Sequence, residues 1–206
     1  MLKRTKGIVL LMLLVLTGLA GRVFSETISS KERKFVLDHL KDSKSYFLKN
    51  VKGLSEAQLN FKASPERWSI KECIQHITLA EGDLWNWVDA TLKKPANPEK
   101  RNEVKRSDEQ VISMLENRSQ KAQAPESIRP EKATWKTTEE TLDAFKEKRA
   151  ALIKYAKTTT DDMRNHISES PYGHFDSYQI VLLLSAHTRR HTQQIEEIKA
   201  NPSFPK

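Results

Sequence analysis

Apolar positions recur at helical spacing in four long stretches, with polar residues filling the opposite faces. The first runs from about Ser30 to Lys52. Val36, Leu40, Phe47 and Val51 form its stripe, Leu37 and Leu48 widen it, and Gly53 supplies a terminating residue. Leu54, Leu59 and Phe61 follow in a connection that reads as a short turn of helix and an extended piece. The second long helix starts at Ser69, whose spacing to Glu72 is that of a capping box. Trp68, just ahead of the cap, is placed to pack on Cys73 as a hydrophobic staple. This helix continues to about Leu92, where Pro95 and Pro98 stop it. Ser107 and Gln110 repeat the capping pattern ahead of a shorter helix through Val111, Leu115 and Arg118 to about Ala122. The third long helix is capped at Thr137, with Leu142, Phe145, Arg149, Leu152, Ile153 and Ala156 on one stripe. A loop with Pro171 and Gly173 leads to Asp176, an N-cap for a last helix from about Ser177 to Ala200.

Helical phase also places the histidines. With His187 at zero and about 100° per residue, Ile180 and Ile198 fall at about 20°, His191 at about 40°, Leu184 at about 60° and Ile195 at about 80°. With His76 at zero, Trp87 falls at about 20°, Ala80 at about 40°, Cys73 at about 60° and Leu84 at about 80°. All three imidazoles therefore sit on core-facing stripes. His39 lies at the edge of its stripe and reads as a packing or surface histidine.

Composition agrees with helices. Of 206 residues only 6 are Gly and 8 Pro, and 30% are charged, which suits a single all-α domain better than a turn-rich β fold. Residues 1–25 are set apart. Lys3, Arg4 and Lys6 precede an apolar run from Ile8 to Ala20, and Val23-Phe24-Ser25 offers a cleavage site, so a signal peptide is expected. The run is shorter than the roughly 20 residues that cross a bilayer, so no stable membrane anchor is expected after cleavage. An exported protein, periplasmic or secreted, follows. The segment carries four basic residues and no acidic one, which reduces the net charge from +8 to +4. The whole excess lies in the loop from Lys93 to Arg106, with six basic residues against two acidic. A single solvated basic loop is not the aromatic-interleaved basic face of a nucleic-acid binder, so nucleic acid is not an expected partner. Cys73 is the only cysteine, which excludes an internal disulfide and a four-cysteine zinc site.

Two histidines four residues apart on one helix can share a metal ion, and His76 from a facing helix makes a third ligand. Thr188 stands where the zinc-protease pattern has Glu, so the motif supplies no general base of its own. Among the neighbours, Glu72 is explained by the cap, with an outer-shell or ligand role as the alternative. Cys73 is explained by the staple, with a ligand role as the alternative. Arg190 and Gln194 flank His191 and could orient a substrate. His174 could reach the site only through a folded-back loop, and His166 has no motif support.

The stretches Trp68-Ser69-Ile70-Lys71-Glu72-Cys73-Ile74-Gln75-His76, Pro171-Tyr172-Gly173 and His187-Thr188-Arg189-Arg190-His191-Thr192-Gln193-Gln194-Ile195 resemble the DinB-like superfamily. Gly53-Leu54-Ser55 and Asn201-Pro202-Ser203-Phe204-Pro205 are similar to it as well, so the resemblance spans about residues 31–205. It implies a four-helix bundle with a long crossover connection and a three-histidine site for a divalent metal ion, carried here by His76, His187 and His191. Imidazole ligation suits zinc, nickel or iron. Relatives that use low-molecular-weight thiols make a thiol-type transferase one implied activity beside a hydrolase. The expected substrate is an unidentified small molecule, and a homodimer is admitted. The alternative is a non-catalytic helical binding domain with a structural ion or none.

Overall fold

A computed structural model describes residues 28–119 and 123–206; the segment read as a signal peptide lies outside them. The helices are α1 (Ser30–Val51), α2 (Glu56–Asn60), α3 (Ile70–Leu92), α4 (Asp108–Glu116), α5 (Thr138–Thr158) and α6 (Ser177–Lys199), with short pieces of 3-10 helix in the connections. Two short strands, β1 (Ile167–Ser170) and β2 (Gly173–Asp176), precede α6. No helix among the described residues is long and apolar enough to cross a membrane.

The starts of these helices are fixed by side chains. Ser29, Ser55, Ser69 and Ser107 each accept a bond from the backbone three residues on, and Glu32, Gln58, Glu72 and Gln110 return it. Each reciprocal pair satisfies donors that the first helical turn leaves unpaired. Gly53, just past α1, has φ +72°, a left-handed conformation that only glycine adopts without strain.

Four long helices form the bundle. α6 packs against α1 and α3, and α5 packs against the same two. The side-chain pairs give the directions. Tyr178 donates to the Glu32 carbonyl at 2.8 Å and His39 meets Ser185 at 2.7 Å, so α1 and α6 run parallel. Thr78 donates to the Thr141 carbonyl, and the Trp85 and Tyr155 rings meet at 4.9 Å, so α3 and α5 also run parallel. Consecutive parallel helices of this length force the chain back along the whole bundle, about 34 Å for the 23 residues of α3. The crossover of residues 93–137 makes that return.

α4 lies within the crossover and packs along α6. With α1 and α3 on its other sides, α6 is buried all round from Ser177 to Ala186. Its sequence predicts one core stripe, but the crossover covers the remaining face as well. α4 stops at Glu116, where Asn117 caps it, short of the expected Ala122. Residues expected as a loop before α6 instead pair as an antiparallel hairpin, with Ile167 opposite Asp176 and Ser170 opposite Gly173. Gly173 has φ +111°, and a Cβ there would meet an Arg106 guanidinium nitrogen at 3.1 Å.

The basic loop is also less solvated than expected. Arg106 donates to the Tyr172 carbonyl at 2.7 Å, and Arg101 pairs with the fully buried Asp176, which also caps α6. Arg164 reaches Asp176, Asp108 and Glu32, joining hairpin, crossover and α1. Part of the basic excess thus serves as internal counter-charge.

Candidate metal centre

The capping box that starts α3 sets the position of His76 two turns into the helix. There its ring is 2% exposed and meets two rings from α6. His76 Nε2 lies 3.1 Å from His187 Nε2 and 3.1 Å from His191 Nε2. Among the described residues these three make up the one group of metal-ligating side chains whose donor atoms converge, all within 4.8 Å of one another. The three histidines expected from the sequence are therefore brought together.

The donor set fits a divalent ion. With bonds of about 2.0–2.1 Å, two nitrogens sharing an ion stand about 3.3 Å apart at a tetrahedral angle and about 2.9 Å apart at a right angle. Both separations from His76 Nε2, 3.1 Å each, lie between these. The protonation pattern points the same way. His76 Nδ1 faces the Ile128 carbonyl at 2.7 Å, and a carbonyl can only accept, so the proton sits on Nδ1. Burial lowers the pKa of His76, and that of His187 and His191 well below the usual histidine value. Neutral His76 thus turns an Nε2 lone pair toward two other imidazole nitrogens. A cation between them satisfies that arrangement.

His76 and His191 are buried, while His187 retains partial exposure. The Trp68 indole packs against the cluster, 4.7 Å from the His76 ring and 6.0 Å from the His191 ring. The staple reading of Trp68 missed this: the indole walls the site, sharing an apolar cluster with Cys73. Two open cavities, of about 290 and 330 Å³, lie elsewhere. One is lined by Trp85, Tyr155 and Asp161, the other by Arg106 and His174, and neither touches the histidine cluster.

The other singled-out residues divide clearly. Glu72 bonds its own helix start and pairs with Lys62 at 2.7 Å, as a cap requires. Cys73 is fully buried, its thiol pKa pushed up by burial, and it is not part of the converging group. His174 pairs with Glu103 at 2.7 Å on the crossover, and His166 Nδ1 meets the Thr91 carbonyl at 3.3 Å. His39 is held neutral, its pKa lowered to about 4 by burial and by the Arg189 charge. Arg190 donates to the Leu115 carbonyl at 3.0 Å and to that of Asn117, holding the end of α4 against α6. Gln194 Oε1 lies 2.9 Å from His191 Nδ1.

Sequence reasoning missed the buried network beside the site. Arg149, fully buried on α5, donates to both oxygens of Glu81, to Thr188 Oγ1 at 2.8 Å, to Ser43 Oγ at 2.6 Å and to the Leu40 carbonyl at 2.9 Å. All five guanidinium N–H groups find acceptors. Glu81 shares α3 with His76, and Thr188 adjoins His187, so one side chain ties all four long helices around the site. The signal was an arginine in the middle of an apolar stripe.

Comparisons with known proteins give the family and the fold. The DinB superfamily model matches residues 39–195, and the chain belongs to that family. Among curated proteins it is similar to YuaE of Bacillus subtilis (strain 168), 26% identical over 152 residues, covering 72% of this chain and 88% of that protein. Among solved structures it is similar to YfiT from Bacillus subtilis, described as a probable metal-dependent hydrolase with an unusual four-helix bundle topology. That likeness has a TM-score of 0.57 at 14% identity and covers 84% of this chain and 89% of the other.

Proposed function

We propose that this protein is a metal-dependent enzyme in which His76, His187 and His191 hold one divalent ion, zinc, nickel or iron, for hydrolysis or thiol-type transfer on a small molecule. The observation that carries the reading is the convergence of three neutral imidazole nitrogens whose central member, His76, has its lone pair turned inward by the Ile128 carbonyl. The description of YfiT as a probable metal-dependent hydrolase supports the hydrolytic branch. When bound, the ion supplies Lewis acidity at an open position, lowering the pKa of a water or thiol there. Trp68 excludes solvent from one side, and partly exposed His187 marks the side by which a substrate enters. Glu72 is engaged by its cap and Lys62, and Glu81 by Arg149, so neither carboxylate of α3 near His76 is free as a base. That leaves activation to the ion.

A second reading, a non-catalytic domain with a structural ion, draws on the two open cavities lying away from the histidines. Cobalt substitution separates the two. Azide added to the cobalt-loaded protein shifts the visible spectrum if a coordination position is open; an unchanged spectrum contradicts the enzyme reading. We further propose export through the N-terminal segment. A chain outside the cytoplasm beginning near Glu26 is expected, and an intact N-terminus in the cytoplasm rejects it.

A further inference from the structure

The three imidazoles are not held alike. His76 has its Nδ1 proton fixed by a backbone carbonyl, that of Ile128, whose chemistry no side-chain substitution removes. His191 faces a side-chain amide, Gln194 Oε1, three residues further along α6 at 2.9 Å. An amide has two ends with opposite chemistry. With Oε1 toward the ring, Nδ1 keeps its proton and Nε2 turns a lone pair into the cluster. With the NH2 group there instead, Nδ1 must accept and the proton moves to Nε2, 3.1 Å from the His76 lone pair. That N–H would occupy the place where an ion must bind.

We infer that Gln194 is a positioning residue for metal binding: its carbonyl end selects the His191 tautomer that can ligate, and so sets the affinity of the site. The inference rests on the three-histidine reading above and adds to it a side chain that acts through His191. Outer-shell acceptors of this kind typically govern affinity by about 10–100-fold. The choice between amide ends also gives a rule for substitutions. A carboxylate at 194 can only accept, so it favours the ligating tautomer more strongly than glutamine does. A methyl group favours neither tautomer and leaves the ring free to turn.

Zinc affinity of the full chain, measured by competition with a chromophoric chelator at neutral pH, tests this with Gln194→Ala, Gln194→Glu and His191→Ala. The expected result is a loss of about 10–100-fold in Gln194→Ala, affinity at or above wild type in Gln194→Glu, and an unchanged unfolding midpoint for metal-free Gln194→Ala. Wild-type affinity in Gln194→Ala overturns the inference and leaves the metal site standing. Equal weakening in the Ala and Glu variants, or a lowered metal-free midpoint, also overturns it, because a packing role then explains the loss. If wild type takes up none of zinc, nickel and iron(II) in such a competition, or His191→Ala binds as tightly as wild type, the metal reading itself fails and the inference falls with it.

Discussion

Replacing Arg149 by methionine removes a side chain that ties all four long helices together. The methionine stem can fill much of the space, but five hydrogen bonds disappear and Glu81 keeps only the Thr188 hydroxyl, 3.0 Å from its Oε1. Glu81 is 3% exposed, so its carboxylate cannot recover the loss from water. Breaking a buried ion pair from one side costs about 3–5 kcal/mol. That is a large share of the roughly 5–15 kcal/mol that holds a domain folded, and in a domain of this size it lowers the melting temperature by roughly 6–20 °C. The assay is urea unfolding of the metal-free protein followed by far-UV circular dichroism, on wild type, Arg149→Met and Arg149→Met/Glu81→Leu. The double variant should recover most of the loss, since a buried pair exchanged for apolar side chains is often neutral or stabilising. A single variant within about 1 kcal/mol of wild type would refute the reasoning, because an unpaired buried charge must cost more than that. So would a double variant no better than the single, since the cost would then come from packing and not from charge.

Three further outcomes are expected. Ser69→Ala removes one half of the box that starts α3 and should cost about 1 kcal/mol in the same unfolding assay; no change would mean that tertiary packing alone sets the helix start. His39 has a folded-state pKa of about 4, below its unfolded value near 6.5. Between those values the unfolded chain binds a proton that the folded chain refuses, so stability falls as the pH drops through this window, by on the order of 3 kcal/mol from this group. His39→Gln should flatten that acid limb relative to wild type, and identical pH profiles would reject the assignment. Trp68→Ala removes the indole packed on the histidine cluster and should make His76 and His191 more accessible to diethyl pyrocarbonate in the metal-free protein; unaltered reactivity would show that the indole is not the barrier.

Much of the site could be read from residues alone because it sits on long helices with strong signals. Ser69 and Glu72 fix the first turn of α3, and from there a constant angular step carries the phase to His76. Asp176 does the same for His187 and His191 on α6. What could not be read has a different physical origin. β1 and β2 are four residues each, too short for an alternating pattern to separate from a loop, and the contacts that Asn97, Arg101 and Arg106 of the crossover make with the hairpin are not local in sequence. The all-round burial of α6 needs α4 in place, and α4 reaches it by contacts such as Arg190 with the Leu115 carbonyl that no local pattern encodes. Arg149 lay on the expected stripe, but its partner Glu81 is 68 residues away and emerges only once α3 and α5 are known to run parallel.

The account turns on one divalent ion held by three histidines, and its most direct test is metal content. Wild-type protein and His187→Ala, purified without chelators and then exposed to zinc, nickel or iron(II), are dialysed and measured by inductively coupled plasma mass spectrometry. The account predicts one tightly held ion per wild-type chain and loss of that ion in His187→Ala, with both proteins folded by circular dichroism. A wild-type chain that retains none of the three metals, or a variant that retains as much as wild type, would contradict it.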